Sequence, residues 1–434
     1  MSVTAAPGFL AAGTHCGIKS DGVPDLALVA TADGRPVAAA GVFTSNLATA
    51  APVQVSRRHL EATGGRAAAV VLNSGNANAA TGEQGIADAE RMCSLVAAEL
   101  GCQPEHVLVC STGLIGIPLP MAPIEAGLPP LVGALSAGGN DGAGGGAGGG
   151  GAGGGGDAAE AILTTDTVRK ETVVRDGGLT VGGMAKGAAM LAPNMATMLA
   201  VLTTDAEVEP GVLHRDLQQA VANTFNSLSV DGCTSTNDTV IVLASGLAGE
   251  GAVGDVLAPL TATCRSLAEQ MAADAEGATK TVWVTVTGAR DVAQARRAAR
   301  KVAESQLVKC SLFGADPYWG RIVSELGTAC VAFDPDRAEV AYGGVTVCAK
   351  GVAVAHDADA VRVHLQGRRV EITADLGLGE GQTSILTNDL TPAYIDENMR
   401  RSYCPRPGCD PRRRRLSWPR PCRTSGASGA ESSS

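Results

Sequence analysis

Apolar residues along the chain follow two alternating rhythms. "AAAVVLN" (residues 67–73) is a short unbroken apolar run, the pattern of a buried strand, and "GIADAERMCSLVAAELG" behind it sets Ile86, Ala89, Cys93, Val96 and Leu100 at helical spacing. "HVLVCSTG" (106–113) reads as a second strand that ends in a turn. After residue 197 the order repeats, with a strand at "MLAVL" and a helix opened by Pro210 that carries Leu213, Leu217, Ala220 and Val221 on one side. "TVIVLASG" predicts another strand, residues 257–275 a helix, and "TKTVWVTVTGA" alternates as a half-exposed strand does. Further strands are expected at "GVTVCA" and "AVRVHLQ". This alternation predicts an α/β protein of layered sheets and helices, and a length of 434 residues predicts two or three domains.

Two stretches interrupt the rhythm. From Gly138 to Gly156 the sequence is nearly all Gly and Ala, which loses too much backbone entropy on ordering to join a core, so 138–156 is expected to be a flexible surface insertion. No G-K-[ST] follows it, which removes a phosphate-binding reading. Residues 399–434 are rich in Arg, Pro and Ser, include Arg412 to Arg415, and cannot bury apolar area; disorder is the expectation there.

Charge and cysteine usage narrow the function. A net charge of -10 argues against nucleic acid as a partner, because neutralising phosphates takes a basic face. No window approaches a membrane span and no leader pattern is present, so no membrane role is expected and the cytoplasm is the predicted compartment. The twelve cysteines contain no C-x-x-C and the six histidines no H-E-x-x-H, so neither a disulfide framework nor a metal site is expected.

Four polar loops remain where chemistry could sit: "NSGNANAATG", "CSTGLIGIPLP", "SVDGCTSTNDT" and "FGADPYWGR". The second sets Ser111, Thr112 and Gly113 at a strand end, where a hydroxyl and a backbone N–H can point together into a cleft. Most such turns merely close a loop. By residue type alone Lys186 is a surface lysine, Glu276 a solvated helix end and Thr197 an ordinary β-branched strand starter.

"KGAAMLAPNMATMLAVLTTDA" (186–206) changes that balance, because it closely resembles the signature of the ornithine acetyltransferases, also called bifunctional glutamate N-acetyltransferases. "GIKSDGVPDLALV", "NSGNANA", "CSTGLIG", "AILTTDT", "SVDGCTSTNDT" and "DPYWGRI" match the family in order, so the resemblance runs from residue 3 to about 398 outside the glycine stretch. It implies the self-processing, N-terminal-nucleophile type of layered α/β fold shared with a group of aminopeptidases. It further implies a cut between Ala196 and Thr197, giving an upstream fragment of residues 1–196 and a downstream one of 197–398 headed by the nucleophile.

The chemistry so implied is coherent. A hydroxyl needs a base, and a freed α-amine has a reference pKa of about 7.7–8.0, so Thr197 would supply both. Thr112 and Gly113 would stabilise the oxyanion, while Lys186, Thr164, Glu276, Asn398 and Thr197 would contact substrate. The implied reaction moves acetyl from N-acetylornithine to glutamate, with no cofactor; acetyl-CoA is a further donor that some relatives accept. Relatives assemble as heterotetramers, two copies of each fragment.

The end of the chain departs from the family. The pattern Y-x-x-x-N-A-x-Y-[ST]-[ST] is kept at Tyr394 and Asn398 and then lost, with Ser402 out of register. Two readings therefore compete with the transferase: an aminopeptidase-like hydrolase of the same self-cleaving architecture, and a homologue crippled at its C-terminus.

Overall fold

The computed structural model describes residues 2–20, 22–137, 154–190, 198–248 and 255–399. The chain opens with β1 (Phe9–Thr14), β2 (Leu26–Thr31), β3 (Val37–Phe43), α1 (Ala51–Ala62), β4 (Arg66–Ala67), β5 (Ala69–Asn76), α2 (Gly82–Leu100), β6 (Val107–Leu114), α3 (Met121–Ala137) and α4 (Gly155–Ala161). It continues through β7 (Lys170–Asp176), β8 (Leu179–Lys186), β9 (Leu199–Thr204), α5 (Pro210–Ala222), β10 (Thr239–Ala244), α6 (Leu257–Ala273) and β11 (Thr281–Ala289). The last part holds α7 (Val292–Ala303), α8 (Gln306–Phe313), α9 (Gly320–Gly327), β12 (Glu339–Tyr342), β13 (Val345–Ala349), β14 (Val352–Ala353), α10 (Ala358–Gln366), β15 (Arg369–Asp375), β16 (Gly381–Asn388) and α11 (Pro392–Met399).

These strands make three sheets among the described residues: β1-β2-β5-β6, β4-β3-β10-β9-β8-β7 and β14-β13-β12-β15-β11-β16. The first two stack face to face. Side chains alternate along a strand, so β5 sends Val70 and Leu72 inward, where they meet Leu199 and Val201 of β9 and Ile241 and Leu243 of β10. The opposite faces are equally apolar: Ala69 and Val71 pack under α2 and α3, and Ala200 and Leu202 under α5 and α6. The result is helix, sheet, sheet, helix, the layered α/β arrangement expected from the sequence. The third sheet has its own core, with Val282 and Val284 of β11 against Ala295, Ala298 and Val302 of α7.

Two expectations need correction. "AVRVHLQ" is not a strand but most of α10: the Asp357 side chain caps the helix by accepting from the Ala360 N–H, and Val361 and Leu365, four apart, are the buried pair. Its alternating look came from Val363, which is exposed. The glycine stretch also ends differently. Residues 138–153 lie outside the described residues, but Gly154, Gly155 and Gly156 are not part of a surface insertion, since α4 starts here and Gly155 is buried. A Cβ on Gly154 would stand 1.7 Å from the Ala11 carbonyl oxygen, and one on Gly13 would stand 2.1 Å from that of Asp157. Glycine lets α4 lie against β1 here; its bareness serves contact rather than freedom.

Candidate active site

The parallel pair β5 and β6 brings two glycines side by side. Asn73, Ser74 and Gly75 register with Ser111, Thr112 and Gly113, and the ladder then slips at Asn76. Gly75 and Gly113 both have positive φ, +99° and +137°. A Cβ on Gly113 would fall 2.2 Å from the Gly75 carbonyl carbon, so only glycine allows the two strand ends this close. The preceding turn is pinned from the side, where the Ser111 hydroxyl donates to Asn73 Oδ1 at 2.6 Å and Asn73 Nδ2 donates to the Asn76 carbonyl at 2.9 Å. "NSGNANAATG" is thus more than a turn: its first four residues belong to β5 and brace the Thr112–Gly113 end of β6.

Lys186 reaches the same place from the other sheet. It is the last residue of β8 rather than a loop or surface lysine, and it is buried and paired. Its Nζ donates to Thr164 Oγ1 at 2.6 Å and to Thr112 Oγ1 at 3.4 Å, and stands 3.8 Å from Asp166 Oδ2. Burial pushes the Lys186 ammonium below its ordinary range, with the Asp166 carboxylate pulling the other way. Lys186 is therefore in direct contact with both Thr112 and Thr164, residues that the sequence could connect to it only through family resemblance.

Asp166 was not singled out from the sequence. Its side chain is fully buried, and its Oδ1 accepts from Lys170 Nζ and from the Gly187 N–H, both at 2.6 Å. Burial alone would raise its pKa, but Lys186 and Lys170 outweigh that and hold it at about 2. Lys170, also fully buried, gives a second bond of 2.6 Å to Asp274 Oδ2. The spacing of Asp166 and Lys170 in "LTTDTVRK" was visible, but nothing local indicated that both are buried.

Glu276 and Asn398 also meet. Asn398 Nδ2 donates to Glu276 Oε2 at 2.9 Å, and the Glu276 N–H donates to the Ala188 carbonyl at 2.8 Å, two residues beyond Lys186. The Lys186 ammonium feels the Glu276 carboxylate. Asp231 ties the same corner, accepting on Oδ2 from the Met190 N–H at 2.5 Å and from the Tyr394 hydroxyl at 3.2 Å. Ala196 and Thr197 lie outside the described residues, as do residues 400–434. The chain is described again from Met198, whose N–H donates to Asp238 Oδ1 at 3.0 Å.

Among the described residues no three His, Cys, Asp or Glu side chains come together as a metal site, and no helix is long and apolar enough to cross a membrane. A cavity of about 410 Å³ between α1 and the start of α5, lined by Phe43, Arg57, Leu60, Pro210 and His214 among others, contains none of the site residues.

A hydroxyl and a backbone N–H at a strand end, beside a buried cation and on stacked sheets clad by helices, are the parts an acyl-transfer enzyme needs. The comparisons agree in kind. The ArgJ family profile matches residues 10–402, and the chain belongs to the ArgJ family. The "Arginine biosynthesis bifunctional protein ArgJ" of Streptomyces coelicolor is 47% identical over 399 residues, 92% of this chain and 99% of that one. That of Mycobacterium tuberculosis H37Rv is 47% identical over 405 residues, 91% and 95% of the two chains. Among solved structures, ornithine acetyltransferase complexed with ornithine from M. tuberculosis is similar at 44% identity with a TM-score of 0.39, covering 44% of this chain and 94% of that one. The argJ protein of Bacillus halodurans is similar at 34% identity with a TM-score of 0.43, covering 45% and 96%.

Proposed function

We propose that this enzyme of arginine biosynthesis moves the acetyl group of N2-acetylornithine to glutamate through an acetyl ester on Thr197, giving ornithine and N-acetylglutamate. The observation that carries the reading is the Lys186 ammonium bonded to Thr164 and Thr112 at once. A hydroxyl that accepts from an ammonium keeps its own proton free to donate, so Thr112 can give that proton to an oxyanion while Gly113 offers its N–H. Lys186, next to both, suits the carboxylate that donor and acceptor share. Glu276 and Asn398 supply a carboxylate and an amide for the polar end of the substrate.

Two steps are required. The Thr197 hydroxyl attacks the Ala196 carbonyl carbon, the peptide C–N bond breaks as the ester C–O bond forms, and water then frees the upstream fragment and leaves an α-amine. In the mature enzyme that amine takes the proton of the Thr197 hydroxyl as it attacks the acetyl carbonyl, and ornithine departs with its nitrogen protonated. Glutamate attacks the ester in the reverse sense. No cofactor enters this scheme; acetyl-CoA is proposed as an additional acetyl donor. The proposed assembly is a heterotetramer of two 1–196 and two 197–398 fragments in the cytoplasm.

Denaturing electrophoresis with N-terminal sequencing tests the cut, and a transfer assay with and without glutamate tests the chemistry. Two bands with threonine heading the smaller, and ornithine release that depends on glutamate, are expected. Thr197→Ala should abolish both. Free acetate released at an undiminished rate without glutamate would identify a hydrolase instead, and an intact inactive band the crippled homologue.

A further inference from the structure

The two strand ends that must face each other during acyl transfer lie in different sheets. β6, carrying Thr112 and Gly113, belongs to the first, and β9, which starts one residue after Met198, to the second. Stacked sheets share no ladder of hydrogen bonds, and the side chains between them here are aliphatic, so packing sets the spacing of the layers but makes no directional bond between these two strand ends. Something directional has to set the distance between the oxyanion donors and the nucleophile.

We propose that the consecutive residues Asn237 and Asp238, just before β10, form a calliper that sets this distance, and that both are positioning residues for cutting and for transfer. Asn237 reaches the first sheet: its Nδ2 donates to the Ser111 carbonyl at 2.9 Å and to the Ala77 carbonyl at 2.6 Å. Ser111 directly precedes Thr112, so this bond holds the peptide that aims the oxyanion donors. Asp238 grips the other strand, its Oδ1 accepting from the Met198 N–H at 3.0 Å. Met198 directly follows Thr197 in sequence. Its carbonyl is held as well, accepting from the Thr239 N–H at 3.1 Å. Adjacent Cα atoms across a trans peptide are about 3.8 Å apart, so no adjustable linker separates the two jaws. Thr44 backs the hinge by donating its N–H to the Asp238 carbonyl at 2.9 Å.

Asp238 is an expensive choice for a simple brace. It is fully buried, and its second oxygen makes no hydrogen bond among the described residues; the neighbouring Thr44 hydroxyl gives its proton to the Ser235 carbonyl instead. Burial pushes this carboxyl well above the ordinary range, against the pull of the Met198 N–H, of Lys186 and of the nearby Ser235 and Thr44 hydroxyls. What the position needs for the calliper is an acceptor for one amide, which an asparagine oxygen also provides.

This inference rests on the acetyl-transfer reading, and the test separates the two. Asn237→Ala, Asp238→Ala and Asp238→Asn are made in the full chain, and cutting rate, kcat and KM for N-acetylornithine are measured at saturating glutamate. Displacing reacting groups by about an ångström costs about a hundredfold, so both alanine variants should lose about that much in cutting rate and kcat, with KM within about threefold of wild type. Asp238→Asn should recover cutting and kcat to within about fivefold of wild type, on the same geometric argument. A kcat near wild type in Asn237→Ala, a KM that rises in step with the loss of kcat, or an Asp238→Asn no better than Asp238→Ala overturns the proposal. If the alanine variants do not fold, Asp238→Asn alone decides, by falling inside or outside that limit. A wild-type protein that cuts itself but moves no acetyl group to glutamate would sink the substrate reading and leave the cutting rates as the measure of the calliper.

Discussion

Asp166 stands between two buried lysines and treats them unequally, accepting a hydrogen bond of 2.6 Å from Lys170 while Lys186 stays 3.8 Å from its other oxygen. Lys170 is tied off by Asp274 as well, so Lys186 keeps a nearby counter-charge without being consumed by it. A cation held this way is free to turn toward an incoming carboxylate. Asp166→Asn should therefore raise KM for both amino-acid substrates about tenfold or more, and removing one member of a buried ionic cluster should cost about 3–5 kcal/mol of stability, seen as an earlier denaturant midpoint.

The same aspartate gives a stability term that depends on acid. Its carboxyl lies at about 2 in the folded protein, below the ordinary aspartate value of 3.8. A carboxylate with a lowered folded value stabilises the fold above its unfolded pKa, and that contribution disappears as pH falls through the folded one. Stability should thus drop by an amount on the order of 2 kcal/mol between about pH 4 and pH 2 on account of this group, and the Asp166→Asn chain should lack that part of the slope in acid denaturation.

Lys186 titrates on the other side. Burial lowers its ammonium, so it loses its charge at a pH where a solvent-exposed lysine is still protonated. The binding proposed for it with the substrate carboxylate is present below that point and lost above it. KM for N-acetylornithine should rise on the alkaline limb of the pH profile, and Lys186→Met should show a raised KM that no longer depends on pH there.

At the end of β6, Thr112→Val preserves shape and deletes the hydroxyl. Losing this proposed oxyanion donor should lower kcat by about a hundredfold or more with KM little changed. Gly113→Ala is a different experiment, because the added carbon would collide with Gly75 at 2.2 Å. It should destabilise the fold as well as stop catalysis, which thermal unfolding of the purified variant will separate from a purely chemical defect.

Much of the architecture was legible because periodicity reports local surroundings. α5 is an example: Leu213, Leu217, Ala220 and Val221 were marked by spacing, and all four are buried. α10 failed the same test, since its buried pair sits four residues apart inside a run that also alternates, and the decisive signal was the cap at Asp357. Gly154 to Gly156 failed for another reason: a glycine needed for close approach and one left free to move look alike until the neighbour at Ala11 is known. Of the site, Thr112, Thr164, Lys186, Glu276 and Asn398 were reached through resemblance, and the contacts that join them are ones no local pattern encodes. Lys186 meets Thr112 across 74 residues, and Glu276 meets Asn398 across 122. Asp166, Asn237 and Asp238 were missed because burial of a polar side chain is a property of the whole fold.

β8 and β9 lie side by side through six paired positions, from Val181 opposite Thr204 to Lys186 opposite Leu199. The proposed cut falls in the segment joining them, so scission would leave two polypeptides woven into one sheet, each supplying a strand the other cannot replace. Such halves have no separate native form to return to: once denatured, the mature enzyme should not reassemble as readily as the uncut chain, and maturation would be a one-way passage from a foldable molecule to a durable one.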